Sequence, residues 1–205
     1  MNGASFAEAP ISEAGEEDAG NAASILSEAF ADDPVMNWTF GGNRAHRTAF
    51  LELARGIYLK QGFGHLAGDQ AATLWLPAGT TGKLPFLNEL RLAFSAVRAA
   101  GFGVIARAKS VAEVMEKAHP QAPHYYLFAV GVRKAGQGKG LGGRIIREGL
   151  KKADADGAPA YLENSNPKNT ALYERLGFSA IAPLGLPAGA PPLLGMLRKP
   201  EGALS

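Results

Sequence analysis

An apolar eight-residue run that leads into a glycine-rich turn constrains the fold of this chain most strongly. Residues Tyr125–Val132 are almost all aromatic or aliphatic, which predicts a strand buried on both faces. The segment Arg133–Gly143 follows with four glycines among its last six positions, and a helix is predicted over roughly Gly140–Asp154. A helix N-terminus carries unpaired backbone N–H groups and a positive dipole end, and glycines let an anion approach closely. The segment therefore predicts a site for a phosphate-bearing ligand.

Two nucleotide-binding motifs compete for this turn. A Walker loop is excluded because Gly140 follows Lys139 where Ser or Thr is required, and Arg133 occupies the position of the opening glycine. The dinucleotide pattern G-x-G-x-x-G is satisfied by Gly138–Gly143, with Glu163 placed where a ribose-binding acid belongs. However, five residues separate the strand from the first glycine, and the remaining chain predicts a hairpin instead of further parallel units. An NAD-type site therefore stays a distant alternative.

The elements after the turn predict a mixed sheet. A second strand is expected over Pro159–Glu163 and a helix over Pro167–Leu176, with proline at its first position and Gly177 at its end. Two last strands, Phe178–Ala182 and Leu193–Arg198, are expected to pair across a proline-rich connection.

The first two thirds of the chain predict helices around one hairpin. The expected elements are a short strand near Ser5–Ile11, helices over Glu16–Phe30 and Arg44–Leu59, a loop over Val35–Trp38, a hairpin of Gly64–Ala67 and Ala71–Leu76, and helices over Pro85–Ala99 and Val104–Lys117.

Charge is distributed unevenly along the chain. The first 33 residues hold eight acidic residues and no Lys or Arg. Either a dipole-matched helix start or a wall that attracts a cationic amine explains this acidic segment. Seven basic residues lie between Arg133 and Lys152 against the single acid Glu148, and no basic stripe extends elsewhere. A compact polyanion explains that cluster better than nucleic acid does.

Composition excludes several other classes. The chain has no cysteine, which excludes disulfide scaffolds, Cys-ligated metals and thiol catalysis. Its four histidines (46, 65, 119 and 124) lack metal-ligand spacing, so no metal is expected and a surface or hydrogen-bonded role is the default. The N-terminus does not resemble a signal peptide, and prolines break the long uncharged run Leu176–Leu197. We therefore expect a cytoplasmic protein without a membrane span.

Two motifs resemble one enzyme family. Gln137–Gly142 matches Q/R-x-x-G-x-G/A after a strand ending in Val130–Val132, and Asn169–Phe178 matches N-x-x-x-Y-E-x-x-G-F. Together they resemble the Gcn5-related N-acetyltransferase (GNAT) family over Tyr125–Phe178. The C-terminal third further resembles the puromycin N-acetyltransferase subfamily and its uncharacterised relatives.

The resemblance implies an α/β (mixed α+β) GNAT fold in a single domain over residues 1–205. The central sheet would be mixed and mostly antiparallel, with splayed central strands and helices on both faces. Residues 80–118 would form a helical insertion that lines the acceptor site. The chain would act as a monomer or homodimer.

The resemblance also implies acetyl-CoA as co-substrate. Pantetheine would lie between the splayed strands and the pyrophosphate on the helix N-terminus, and Asn169 would share a helix face with Tyr173. The implied cofactor-binding residues are Ala129, Val130, Val132, Gln137, Gly138, Lys139, Gly140, Leu141, Gly142, Gly143 and Asn169.

Two residues are candidates for proton transfer. The resemblance places Tyr173 beside the CoA sulfur as general acid, with a role as a core residue as the alternative. Glu163 is a candidate base, with a surface or ribose-contacting role as the alternatives. Weaker candidates for the acceptor pocket are Asp32, Asp33, Trp38 and Tyr126.

The sequence leaves three candidate functions. The first is an N-acetyltransferase that passes an acetyl group from acetyl-CoA to a primary amine of a small molecule or peptide, by direct attack in a ternary complex. The second is a non-catalytic acyl-CoA-binding or CoA-sensing module, and the third is the NAD-type dinucleotide binder.

Overall fold

The computed structural model describes residues 9–80 and 82–202 and shows a seven-stranded mixed sheet. The strand order is β1-β2-β3-β4-β5-β7-β6, and β4–β5 is the parallel pair among otherwise antiparallel neighbours. The strands are β1 (Ile11–Ala14), β2 (Phe63–Ala67), β3 (Ala71–Leu76), β4 (Tyr125–Val132), β5 (Ala160–Asn164), β6 (Ser179–Leu184) and β7 (Leu193–Arg198).

Eight α-helical segments accompany the sheet in the described part of the chain. The third continues through a π-helical stretch, Ala54–Tyr58, into the fourth. The helices are α1 (Ala19–Ala29), α2 (Pro34–Phe40), α3 (His46–Leu53), α4 (Leu59–Gln61), α5 (Phe86–Ala100), α6 (Gly103–Ala118), α7 (Leu141–Ala155) and α8 (Thr170–Glu174).

Helices cover both faces of the sheet closely. A Cβ added to Gly131 of β4 would lie 2.8 Å from Ala29 of α1. On the opposite face, a Cβ added to Gly149 of α7 would lie 2.4 Å from the Trp75 ring of β3. Both glycines therefore permit backbones to approach where any side chain would clash. The predicted mixed, mostly antiparallel sheet with helices on both faces is confirmed.

A bulge bends the central strand β4. Leu74 pairs with Ala129 while Trp75 pairs with Leu127, so Phe128 has no partner in the β3 register. A β-bulge kinks its strand and increases the local twist. Here it bends β4 near the point where that strand separates from β5.

Most predicted elements lie close to their expected positions, but the segment after α1 does not. The predicted loop over Val35–Trp38 is wrong, because these residues belong to α2. Asp33 caps this helix by accepting a hydrogen bond from the Met36 N–H at 2.9 Å, and Pro34 is its first residue. The Asp-Pro pair thus begins this helix, four residues after α1 has ended at Ala29.

The predicted first strand is only partly described. Residues 5–8 of the expected strand Ser5–Ile11 lie outside the described residues, and the observed strand β1 begins at Ile11. No helix in the described ranges is long and apolar enough to cross a membrane.

The acidic N-terminal segment is tied to the basic cluster by ion pairs. Glu28 pairs with Arg133, Asp32 with Lys134 at 3.1 Å and Glu13 with Lys152 at 2.9 Å. These pairs join β1 and the α1 region to α7 and to the turn that precedes it. Much of the predicted basic cluster is therefore matched by acids of this chain.

A buried ion pair fastens β7 to α7, and we expect its loss to destabilise the fold. The side chain of Arg198 is 5% exposed and forms two hydrogen bonds with Asp154, at 2.7 and 2.9 Å. These bonds lower the pKa of Asp154. Arg198→Met should reduce the free energy of unfolding by about 3 kcal/mol at pH 7, because it leaves a largely buried carboxylate unpaired.

Urea unfolding at two pH values checks this expectation. A lowered folded pKa gives stability that is present above the unfolded value and lost as the pH falls through the folded one. The difference between wild type and variant should therefore shrink below about pH 4. Lys109→Met, which removes an exposed pair with Glu113, is the matched control and should change stability by less than about 0.5 kcal/mol. Equal losses for the two variants would contradict this role of Arg198.

Candidate active site

The central strands separate shortly after they begin to pair. β4 and β5 are in register only at Tyr125–Ala160 and Tyr126–Tyr161. Residues 127–132 therefore lack a β5 partner on that edge, which confirms the predicted splay. The predicted pantetheine contacts Ala129, Val130 and Val132 lie in this unpaired stretch. Such an edge offers backbone groups to an extended ligand that carries amides.

The glycine-rich turn is held in shape by its own side chains. The Gln137 amide donates to the Val132 carbonyl at 2.9 Å, and the Lys139 ammonium donates to the Ala135 carbonyl at 2.8 Å. Gly138 and Gly140 have φ values of +74° and +78°, a region that favours glycine. The turn therefore presents its backbone in a fixed conformation at the N-terminus of α7.

Open space lies where side chains would otherwise stand at this turn. A Cβ added to Gly138 or Gly140 would meet nothing within 4 Å, and one added to Gly142 would come no closer than 3.6 Å to another atom. Gly140 is the N-cap of the 15-residue helix α7, and no side chain caps that helix end. The first-turn N–H groups lack intrahelical acceptors by helix geometry. These glycines, with Leu141 and Gly143, fit the pyrophosphate of a nucleotide ligand.

Tyr173 is a buried residue on the short helix α8. The Asn164 side chain fixes the start of this helix by donating to the Thr170 hydroxyl at 2.9 Å. Burial, with a smaller contribution from the Asp33 carboxylate, raises the pKa of Tyr173. Its hydroxyl forms no hydrogen bond with any described residue. The Tyr173 phenol is thus protonated, and its hydroxyl can still form a hydrogen bond.

Asp33 links α2 to the end of β5. Besides capping α2, its carboxylate accepts a hydrogen bond from the Ser165 hydroxyl at 2.6 Å. Asp33 therefore lies near Tyr173, as the pKa effect on the phenol also indicates. Asp32 points elsewhere and forms an exposed pair with Lys134. Of the two neighbouring acids, Asp33 lies near Tyr173, whereas Asp32 is exposed.

Glu163 lies on the opposite face of β5 from the cluster that contains Tyr173. Its side chain is 3% exposed, and one carboxylate oxygen accepts a hydrogen bond from the Tyr126 hydroxyl at 2.7 Å. Successive residues of a strand alternate between faces, so Glu163 shares a face with Tyr161. Leu162 points to the other face and belongs to the same apolar cluster as Tyr173. The carboxylate and the phenol therefore lie on opposite faces of β5.

Aromatic rings form an apolar wall on the Glu163 side. Phe128 stacks on Tyr58 with ring centroids 4.2 Å apart, and Phe50 lies edge-on to Phe128 at 6.4 Å. Burial, followed by the charge of Glu163, raises the pKa values of Tyr58 and Tyr126 well above 10. Both phenols are therefore neutral hydrogen-bond donors.

The remaining predicted residues are less closely tied to the gap. Trp38 is half-buried on α2 and Asn169 is exposed at the start of α8. The two helices expected within residues 80–118 are present as α5 and α6. Roles of the individual site residues and of the insertion stay predictions.

Sequence reasoning missed one residue that contacts this site directly. The Nε2 atom of His119 lies 3.3 Å from the Oε1 atom of Glu163. His119 follows the end of α6, far from Glu163 in the chain. Only its position just before β4 could have drawn attention to it.

Known proteins share this architecture and the central motifs. A family model described as the acetyltransferase (GNAT) family matches residues 87–178. A structure of histone acetyltransferase HPA2 and related acetyltransferase from Corynebacterium glutamicum is similar with a TM-score of 0.70 and 23% identity, over 95% of this chain and 98% of that one. Arylalkylamine N-acetyltransferase 2 from Aedes aegypti gives a TM-score of 0.60 at 13% identity, over 93% and 98%. At these identities the two structures establish the fold alone.

A curated relative matches over a shorter stretch. Mycothiol acetyltransferase from Streptomyces avermitilis is 36% identical over 66 residues. This match covers 31% of the present chain and 21% of the relative. The chain thus spans about a fifth of that protein's length, and the resemblance to the puromycin N-acetyltransferase subfamily stays a prediction.

Proposed function

Because the chain belongs to the acetyltransferase (GNAT) family, we propose that it transfers an acetyl group from acetyl-CoA to a primary amine. One observation carries this proposal. The uncapped N-terminus of α7, with open space at Gly138 and Gly140, directly follows the unpaired edge of β4. An anion site beside a free strand edge fits a ligand that carries both a pyrophosphate and a chain of amides.

The chain's own groups would hold acetyl-CoA at three places. Backbone N–H groups from Gln137 to Gly143 would bind the pyrophosphate, and the positive end of the α7 dipole would favour its charge. Backbone groups of Ala129, Val130 and Val132 would pair with the pantetheine amides. This arrangement brings the thioester to the gap between β4 and β5, on the side from which Tyr173 approaches.

The two proton-transferring groups fit direct attack in a ternary complex. The amine nitrogen would form a bond with the thioester carbonyl carbon, and the carbon–sulfur bond would break. Glu163 would accept the proton that the amine loses, and Tyr173 would donate its hydroxyl proton to the departing sulfur. Binding both reactants in one gap supplies proximity, a large part of catalysis in such reactions. No covalent acetyl-enzyme is required.

The acceptor class is a primary amine of a small molecule or peptide. It would reach the gap from the Glu163 side, where Tyr58, Tyr126 and Phe128 form an apolar wall with neutral phenols. The helical insertion over residues 80–118 would line this side, since α6 leads directly to His119 beside Glu163. The arylalkylamine acceptors in the name of the Aedes neighbour have an apolar body that suits such a wall.

Glu163→Gln should lower kcat about a hundredfold near neutral pH, because the amide cannot accept the amine's proton. The effect should shrink at high pH, where more of the acceptor binds already deprotonated. Affinity for acetyl-CoA should not change, since Glu163 lies on the acceptor side. Steady-state kinetics and calorimetry check both statements. Glu148→Gln, which changes a half-buried carboxylate on α7 that pairs with Lys151, is the control and should retain wild-type kcat. An equal loss in both variants would contradict the assigned base.

Ligand-dependent melting separates the proposed function from its alternatives. Acetyl-CoA should raise the melting temperature and NAD should not, because the glycine-rich turn lies between two splayed strands and not within a dinucleotide fold. Stabilisation by NAD alone would contradict the proposal. Stabilisation by acetyl-CoA without CoA release in a panel of arylalkylamines, diamines, amino sugars and peptides would indicate the CoA-sensing module instead.

A further inference from the structure

The two carboxylate oxygens of Glu163 have different partners. Oε2 accepts a hydrogen bond from the Tyr126 hydroxyl at 2.7 Å. Oε1 lies 3.3 Å from Nε2 of His119 but has no aligned hydrogen-bond donor among the described residues. Oε1 is therefore the oxygen with capacity to take up a proton, and an imidazole nitrogen lies directly beside it.

A chain of contacts orients that imidazole. Nδ1 of His124 lies 2.9 Å from the Ala122 carbonyl, which can only accept, so this Nδ1 carries a proton. Nε2 of neutral His124 is then an acceptor, and it lies 3.1 Å from Nδ1 of His119. His119 must donate from Nδ1, which leaves its Nε2 with a lone pair. That lone pair faces Oε1 of Glu163.

When both groups are unprotonated, a carboxylate oxygen and an imidazole lone pair face each other across 3.3 Å, so a proton delivered to either atom is stabilised by a hydrogen bond with the other. The side chain of Glu163 is 3% exposed, whereas that of His119 is 29% exposed. The pair thus connects a buried carboxylate to a group that reaches solvent.

We propose that His119 receives the proton that Glu163 removes from the acceptor amine, and that His124 positions His119 to do so. This inference rests on the proposed acetyl transfer. The O–H bond on Glu163 breaks as an N–H bond forms at Nε2 of His119, which becomes an imidazolium. Solvent water or buffer then takes the proton, and the carboxylate is ready for the next amine.

Neutral phenols surround the pair of Glu163 and His119. Tyr126 and Tyr161 face it from β4 and β5, and Tyr58 from the end of the π-helical stretch. All three phenols have pKa values raised by burial and by the charge of Glu163, so they stay neutral. Lys117 lies close by on α6, but in the described residues only His119 is within ion-pair distance of Glu163. Burial lowers the pKa of His124, which keeps it a neutral acceptor.

The pH dependence of kcat/KM tests the relay. An imidazole ordinarily titrates near 6.5 and a carboxyl near 4.3, so a base that includes an imidazole loses activity at higher pH than a lone carboxylate. In His119→Gln, the fall of kcat/KM on the acid side of the pH profile (the acid limb) should therefore lie about two pH units lower. The maximum of kcat/KM should be about tenfold lower. The ionisation of the acceptor amine affects wild type and His119→Gln equally. A difference between their acid limbs is therefore due to His119. His65→Gln, a buried histidine on β2, is the control and should leave the limb in place.

A second measurement needs no turnover. Nitrogen-15 spectra of the imidazoles should show His124 protonated at Nδ1, and Glu163→Gln should change the titration of His119 but not that of His65. A wild type without any acetyl transfer would contradict the proposed function. An active wild type whose acid limb is unmoved by His119→Gln, or a His124 protonated at Nε2, would overturn the relay alone.

Discussion

Gly140→Asp should weaken acetyl-CoA binding at least about a hundredfold, or nearly 3 kcal/mol. The aspartate would project into the open space where no other atom lies within 4 Å, and its charge would oppose the pyrophosphate. It would also displace at least one charge-assisted hydrogen bond from the first turn of α7, worth about 1.5–3 kcal/mol. Isothermal titration with acetyl-CoA measures the loss, and kcat/KM should fall in parallel.

Gly157→Asp is a matched control at the other end of the same helix. Gly157 also has positive φ, +61°, and open space around it. Both variants therefore carry the same backbone strain, about 1 kcal/mol, and the same added charge. Only Gly140→Asp should lose affinity. Unchanged affinity in Gly140→Asp, or an equal loss in both variants, would contradict the pyrophosphate site.

Tyr173→Phe should lower kcat about a thousandfold while acetyl-CoA affinity stays within about twofold of wild type. The variant keeps the buried ring and removes only the hydroxyl, which has no partner among the described residues and so costs little stability. The loss falls on kcat because the proton is needed only as the carbon–sulfur bond breaks. Burial raises the pKa of Tyr173, so the wild type should show no basic limb from this phenol below about pH 10.

Tyr125→Phe supplies the control for removal of a buried phenol. The Tyr125 hydroxyl donates to Asp156 at 2.5 Å, away from the gap. Its loss should cost about 1 kcal/mol of stability without changing kcat. Acetyl thioesters whose thiols leave more or less readily sharpen the test of Tyr173→Phe. A better leaving thiol needs the proton from Tyr173 less, so the loss of kcat should be smaller with it. Wild-type kcat in Tyr173→Phe would show that this phenol is a core residue.

The glycine-rich turn and the short helix that carries Tyr173 were predictable because their signals are local in the chain. A strand, a glycine-rich turn and a helix occupy consecutive residues, and the conformations of Gly138 and Gly140 follow from glycine itself. Tyr173 lies within one short motif on α8. The fold class followed in the same way, from the order of strands and helices after Tyr125.

The contacts around Glu163 could not be predicted because they depend on the tertiary fold. His119, Tyr126 and Glu163 come from α6, β4 and β5, and nothing in the sequence indicates that the end of α6 reaches the gap. The contacts of Asp33 were also hidden, since its hydrogen bond with Ser165 joins residues far apart in the chain. Ion pairs from the acidic segment to Arg133 and Lys152 likewise join residues far apart in the chain.

A count of the acetyl groups on every product of one reaction tests the proposed transfer from acetyl-CoA to an amine most directly. The protein is mixed with acetyl-CoA and an amine from the panel, and free CoA, acetylated amine and the protein mass are measured together. We expect one acetylated amine for each CoA released, no release of CoA without an amine, and no acetyl group on the protein. Release of CoA without an amine product, or binding of acetyl-CoA with no transfer to any amine, would contradict it.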